Sequence, residues 1–213
     1  MRKNVLIGTT NPSKVKRFQD ILKDYEVCFL TLKDLNITEE PKESGNSPME
    51  NAQIKAGFYG RYFDYVICND SGLYIEQLSM NDKRQPGLHV RTPKGIRLND
   101  EEMIQYYTEL VKTLGDPVLC YYLDGIAVYH QGKISGFMKE REEAKKEAFY
   151  MVSKPHKLRH IGWPLDSISV DRNSGIYFVE EEKEETDSVI EEEYRKKLIE
   201  FLSTSLELEK SFR

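Results

Sequence analysis

Three short segments carry residue types that can do phosphate chemistry. Thr9-Thr10-Asn11-Pro12-Ser13-Lys14 leads from an apolar stretch through a polar turn into a helix start. Unpaired N–H groups at a helix N-terminus attract anions, and Lys14 adds a point charge one turn in. The spacing is not that of a GxxxxGK[ST] loop, and an ordinary capped helix also accounts for it. The second segment is Glu43-Ser44-Gly45, followed by Glu50-Asn51-Ala52 and Lys55. A loop carboxylate such as Glu43 can ligate Mg²⁺, which takes hard oxygen ligands and keeps several waters. Glu50 and Lys55 share a helix face as an i,i+5 or water-bridged pair, with solvated surface charges as the alternative. The third segment, Asn69-Asp70-Ser71-Gly72, closes an apolar strand. Ligands in open α/β sheets collect at the carboxyl ends of strands, where Asp70 can hold a metal or take a proton from water. The same residue types also favour a plain turn.

The elements that position these segments follow from apolar periodicity. Asn4–Gly8 reads as a buried strand. Val15, Phe18, Ile21 and Leu22 then fall at helical spacing behind an Asn11 cap and a Pro12 first residue. Tyr25–Leu32 reads as a second strand, residues 33–48 as a loop, and Glu50–Phe63 as a helix. Asp64–Cys68 reads as a strand that ends at Asn69, and Leu73–Leu78 continues as strand or short helix. A long loop over 79–99, with Pro86, Gly87, Pro93 and Gly95, precedes an amphipathic helix over Asp100–Leu114 capped by Asn99 or Asp100. Val118–Tyr129 and Lys133–Met138 form a hairpin around His130-Gln131-Gly132. Residues 139–147 are a solvated charge run, Ala148–Ser153 and Ile176–Glu181 are further strands, and Val189–Leu206 closes the chain as a helix. Glu180–Glu185 reads as a solvated acidic edge. Helices alternating with strands early and a hairpin in the middle predict a mixed sheet and the α/β class.

The bulk numbers bound the function. The chain has 213 residues, 39% hydrophobic and 31% charged, which fits one globular domain over 1–213. Its net charge of −5 argues against a general nucleic-acid binder, which needs a basic surface. Apolar runs such as Val66-Ile67-Cys68 are far too short to span a bilayer, and Val5–Gly8 is too short for a secretory signal. Cys28, Cys68 and Cys120 lack CxxC spacing and sit in apolar stretches. Buried reduced thiols and a cytoplasmic location are expected.

Order and spacing together carry more than each segment alone. Thr9 or Thr10 with Asn11 and Lys14; Glu43 and Gly45; Glu50, Asn51, Ala52, Lys55 and Ala56; Asp70, Ser71, Gly72 and Leu73; and Pro86-Gly87 appear in that order within residues 4–90. The series resembles the inosine-triphosphate pyrophosphatase (Ham1-like) family. That pattern runs T-x-N-x-x-K, E-x-G, E-N-A-x-x-K-A, an acidic pair with S-G-L, then P-G. The chain departs from it in three places. Asn69-Asp70 stands for the acidic pair, Ile161-Gly162-Trp163-Pro164-Leu165-Asp166 is a remnant of G-F-G-[YW]-D-P, and the S-H-R motif is missing. His160 with Arg159, or Arg172, does not reproduce its spacing.

The resemblance implies a central twisted mixed sheet flanked by helices, in two lobes with an active-site cleft between them. It implies Mg²⁺-dependent cleavage of a non-canonical purine triphosphate (ITP, dITP or XTP) to the monophosphate and pyrophosphate. In that reading Glu43 and Asp70 hold Mg²⁺, Asp70 acts as base, and Thr9, Thr10, Asn11, Lys14 and Lys55 meet phosphate. Ser71 and Gly72 line the substrate, Trp163 stacks on a base or fills a core, and Asp166 hydrogen-bonds a base edge. Losing the acid at Asn69 should weaken Mg²⁺ binding. The family usually forms homodimers, and the sequence neither supports nor excludes one here. Two other readings stay open: the same chemistry on another nucleotide, or a catalytically weak nucleotide-binding module.

Overall fold

The computed structural model describes residues 2–180 and 189–211. In chain order the elements are β1 (Lys3–Ile7), α1 (Pro12–Ile21), β2 (Val27–Thr31), α2 (Pro48–Tyr59), β3 (Tyr65–Ile75), α3 (Asp100–Leu114), β4 (Val118–His130), β5 (Lys133–Met138), α4 (Arg141–Ala144), β6 (Phe149–Met151), β7 (Ser169–Val170) and α5 (Val189–Ser205). The strands join in the order β2-β1-β3-β4-β6-β7, with β5 on β4. β1 pairs in parallel with β2 and β3, whereas β5 and β6 run antiparallel to β4. The fold is therefore α/β with a central mixed sheet flanked by helices. Among the described residues no helix is long and apolar enough to cross a membrane.

The chain divides into two compact units, and β3 and β4 contribute residues to both. Of the described residues, the first comprises 2–70, 124–138 and 189–211. Its strands are apolar on both faces, so alternate residues pack against different helices. Val5, Ile7, Ile67, Ile126 and Val128 pack with Phe18 and Leu22 near α1 and with Tyr194, Leu198 and Leu202 of α5. Leu6, Val66, Cys68 and Ala127 point the other way, onto Ala52, Ala56 and Tyr59 of α2. In the second unit, Leu73, Ile75, Val118, Cys120, Phe149 and Met151 pack against Met103, Ile104, Tyr107, Leu110 and Val111 of α3.

Helix ends follow their capping chemistry. The Asn11 side chain accepts from Ser13 N, with Pro12 as first residue of α1. Asn99 and Glu102 close a capping box on α3. α2 begins before the expected Glu50, because Ser47 accepts from Glu50 N and Pro48 starts the helix.

Several expectations are corrected. Asn69-Asp70-Ser71-Gly72 does not end a strand; β3 runs on to Ile75, and the backbones of Leu73 and Gly87 exchange both hydrogen bonds. Cys28 is exposed, because β2 is the edge strand, while Cys68 and Cys120 are buried and reduced. Burial pushes both of those thiols up to about 12. Of the expected strand Ile176–Glu181, the described residues 176–180 supply an isolated bridge, Tyr177 to Val170, beside the two-residue β7. Glu180 is exposed, and the acidic residues 181–185 lie outside the described residues.

Candidate active site

Consecutive strand residues face opposite ways, and that divides the chemistry at Asn69-Asp70. Asp70 shares the Val66 and Cys68 face and meets α2. Asn51 and Lys55, one helical turn apart, each take one of its oxygens. Asn51 Nδ2 donates to Asp70 Oδ2 at 2.9 Å, and Lys55 Nζ to Asp70 Oδ1 at 3.2 Å. Lys55 Nζ also lies 2.8 Å from Glu43 Oε1 and 3.5 Å from the Asn69 carbonyl oxygen. The side chains of Lys55 and Asp70 are 14% and 13% exposed, while Glu43 is 43% exposed, so the cluster opens on the Glu43 side.

The Glu43 loop is seated by the same helix. Gly45 N donates to Asn51 Oδ1 at 2.8 Å. A Cβ on Gly45 would come 2.6 Å from Glu50 Cβ and 2.7 Å from Asn51 Oδ1, so the close approach requires glycine. Glu50 does not pair with Lys55, as its position on α2 suggested. Its carboxylate accepts from Asn46 N at 2.7 Å, as a residue at a helix start does.

Asn69 turns toward α1. Its Nδ2 donates to Asp124 Oδ1 at 3.2 Å, and Arg17 bonds to Asp124 Oδ2. Asn69 Oδ1 is buried and has no hydrogen-bond partner among the described residues. Lys14 lies one turn before Arg17 and, among the described residues, forms no hydrogen bond or ion pair through its ammonium.

The lysines respond oppositely to burial. For Lys55, desolvation lowers the pKa, but the carboxylates of Asp70 and Glu43 outweigh it and hold the value above the ordinary one. For Lys14, desolvation prevails and the pKa is lowered. Asp124 pulls it back up most strongly, and the like charge of Lys55 adds to the lowering.

In the α1 loop, Asn11 N donates to Thr9 Oγ1 at 3.2 Å and Ser13 N to Asn11 Oδ1 at 2.9 Å. Those two amides, expected to be open to an anion, are engaged within the loop. Thr10 is exposed. Ser71, Gly72, Trp163 and Asp166 belong to the second unit. There Asp166 Oδ2 is 2.9 Å from His160 Nδ1, and Trp163 is 41% exposed.

The structure thus brings together Glu43, Lys55 and Asp70, with Lys14 in the electrostatic range of Lys55 and Asp70. Asn51, which lay in a candidate segment but had no role assigned, joins them, as do Arg17 and Asp124, which were not singled out. Asp124 carried a readable signal: it falls on the same strand face as Ile126 and Val128, and a carboxylate on an inward face demands a partner. Among the described residues no group of three or more His, Cys, Asp or Glu side chains is arranged to hold a metal.

Comparison with known proteins adds a family. The model of the Ham1 family matches residues 5–150. The dITP/XTP pyrophosphatase of Thermoanaerobacter pseudethanolicus is 38% identical over 86 residues, which are 40% of this chain and 41% of that one. The dITP/XTP pyrophosphatase of Leptospira interrogans is 37% identical over 103 residues, 47% of this chain and 50% of the relative. The chain thus matches half or less of the length of these curated relatives. Among solved structures, the Ham1 protein of Staphylococcus aureus superposes with a TM-score of 0.71 at 19% identity, over 95% of this chain and 99% of that one. A HAM1 protein from Coxiella burnetii gives 0.71 at 20% identity, over 96% and 100%. At such identities these two show the fold.

Proposed function

Because this chain belongs to the Ham1 family, we propose that it is a Mg²⁺-dependent nucleoside triphosphate pyrophosphatase for non-canonical purine nucleotides. The relatives named dITP/XTP pyrophosphatases support that substrate class. The observation that carries the reading is one ammonium, Lys55, shared by two carboxylates, Glu43 and Asp70. A lone surface ion pair would not draw a loop, a helix and a strand interior to one point.

The residues fit Mg²⁺. The donors are hard oxygens only, and Glu43 and Asp70 converge closely enough to contact the same nitrogen. Mg²⁺ is commonly held by one or two carboxylates, with substrate phosphates and water completing its shell. When bound there, it would act as a Lewis acid and neutralise polyphosphate charge.

The chain's own groups account for the rest. Lys14, which has no ion pair among the described residues, and Lys55, which can exchange a carboxylate for phosphate, contact phosphate oxygens. Thr9, Thr10 and Asn11 line the phosphate side. Asp70 takes a proton from the attacking water, its two oxygens held in orientation by Asn51 and Lys55. Cleavage falls between the α- and β-phosphates, releasing a monophosphate and pyrophosphate. Ser71 and Gly72 line the substrate, and Trp163 offers an exposed ring for a base. A second reading, the same chemistry on another nucleotide, is favoured by the engagement of Asp166 with His160 in place of a free base-reading carboxylate. The protein is expected to work in the cytoplasm as a homodimer, without nucleic-acid or membrane partners.

Pyrophosphate release from ITP, dITP, XTP and ATP with Mg²⁺ tests the proposal. Turnover of ITP well above ATP agrees with it. Turnover of a different nucleotide alone selects the second reading, and silence on all with nucleotide-dependent thermal stabilisation leaves only a binding module.

A further inference from the structure

We propose that His160 selects the base of the nucleotide: with a purine stacked on Trp163, the imidazole Nε2 of His160 accepts N1–H of a 6-keto purine, and Asp166 is the positioning residue that fixes the imidazole for that contact. The inference rests on the proposed purine substrate and goes beyond it by naming the group that tells one purine from another.

The arrangement lies wholly within the second unit. His160 and Trp163 oppose each other in an antiparallel bridge, closed by the turn Ile161-Gly162 with Gly162 at a φ of 82°. Residues opposed in this way present their side chains on one face, with Cβ atoms about 5 Å apart. Trp163 N donates to the His160 carbonyl oxygen at 3.0 Å, and Asp166 N to that of Trp163 at 3.2 Å. The turn is also anchored to the start of α3. Gly162 N donates to Asp100 Oδ2 at 3.1 Å, and Arg159 Nε to Glu101 Oε1 at 2.9 Å. The indole and the imidazole therefore stand on a turn that is fixed before any ligand arrives.

Asp166 Oδ2 lies 2.9 Å from His160 Nδ1. A carboxylate only accepts, so Nδ1 carries the proton, and in the neutral imidazole Nε2 is left as an acceptor. Nε2 makes no hydrogen bond among the described residues, and the His160 side chain is 35% exposed. Backbone bonds and the α3 contacts already hold the turn, so the bond between His160 and Asp166 is not needed to close it. What that bond adds is the orientation of the ring and the place of its proton. Trp163, 41% exposed, offers an aromatic surface beside this acceptor. Hypoxanthine and xanthine carry a hydrogen on N1, which Nε2 can accept. Adenine carries a lone pair there, so two acceptors would oppose each other and the base is disfavoured. Guanine, which also has N1–H, passes the same contact.

Trp163 is the only tryptophan in the chain, so its fluorescence reports a stacked base directly. The full chain is titrated with inosine monophosphate, 1-methylinosine monophosphate and adenosine monophosphate, at a mildly alkaline pH where an ordinary imidazole is neutral. None of the three requires turnover or metal. Inosine monophosphate is expected to quench the wild type, with the 1-methyl and adenosine compounds binding about tenfold more weakly. His160→Phe is expected to bind all three with similar affinity. Asp166→Asn, which no longer fixes the proton on Nδ1, is expected to narrow the preference with His160 still present. Equal binding of inosine monophosphate and its 1-methyl derivative by the wild type overturns the proposal, as does a preference that survives in His160→Phe. Absence of quenching by inosine monophosphate removes the stack on Trp163 and overturns it too. An unchanged preference in Asp166→Asn overturns the positioning role of Asp166. Absence of all triphosphate hydrolysis contradicts the proposed function, whereas hydrolysis of ITP without discrimination against the 1-methyl compound contradicts the role of His160 alone.

Discussion

Asn51 Nδ2 donates to Asp70 Oδ2 at 2.9 Å, and this contact sets the orientation of the carboxylate on which the chemistry depends. The other face of the same carboxamide accepts from Gly45 N at 2.8 Å, so one side chain ties the Glu43 loop to β3. Replacing Asn51 with Ala leaves the half-buried Gly45 amide without this acceptor and Asp70 free to turn. We expect a loss of about 1–3 kcal/mol in stability and a fall in kcat. Thermal unfolding and steady-state kinetics on one preparation check both. A stable variant with unchanged kcat would remove Asn51 from the site.

Asp70→Asn keeps the shape of the side chain and removes its charge. Turnover should drop by orders of magnitude while the circular dichroism spectrum stays that of the wild type, because Glu43 still pairs with Lys55. Full activity in this variant would exclude Asp70 as the base.

Gly45→Ala tests the loop independently of any charge. The added Cβ meets Asn51 Oδ1 at 2.7 Å and Glu50 Cβ at 2.6 Å, both on a helix that cannot easily yield. The loop must shift and carry Glu43 with it. Isothermal titration of Mg²⁺ should show weakened affinity, and an affinity equal to wild type counts against Glu43 as a ligand.

Lys14 opposes stability while serving binding. Its pKa is lowered in the fold, mainly by burial, so the folded state disfavours the charged form. That penalty is full below the folded pKa and fades as pH rises from there toward the ordinary value of 10.5. Lys14→Met should therefore melt higher than wild type at neutral pH. The advantage should shrink as the solution becomes alkaline, and activity should be lost at every pH. Melting curves across pH check the sign, and an advantage that grows with pH contradicts it.

The legible parts of the fold were those fixed by local chemistry. Asn11-Pro12 and Asn99 marked helix starts because capping needs those side chains at those positions, and Glu102 completes the box on α3. The Gln131-Gly132 turn, with φ of 46° and 90°, closed the hairpin where a glycine allowed it. What misled was composition without context. Asn69-Asp70-Ser71-Gly72 has turn residues, yet the backbone stays extended because Leu73 pairs with Gly87. Ser47-Pro48 lay inside an otherwise polar loop, so α2 was read too short at its start. Lys55 was legible as a site residue, but its partners were not, since Glu43 and Asp70 reach it through tertiary packing. Asp124 belonged to no motif and could be found only from its inward register on β4.

The most direct measurement of the central claim is a ³¹P NMR spectrum of ITP after incubation with the protein and Mg²⁺. The account predicts inosine monophosphate and pyrophosphate in equal amounts, without orthophosphate, and no reaction when the metal is chelated. Orthophosphate as the released product, or turnover that persists in chelator, would contradict it.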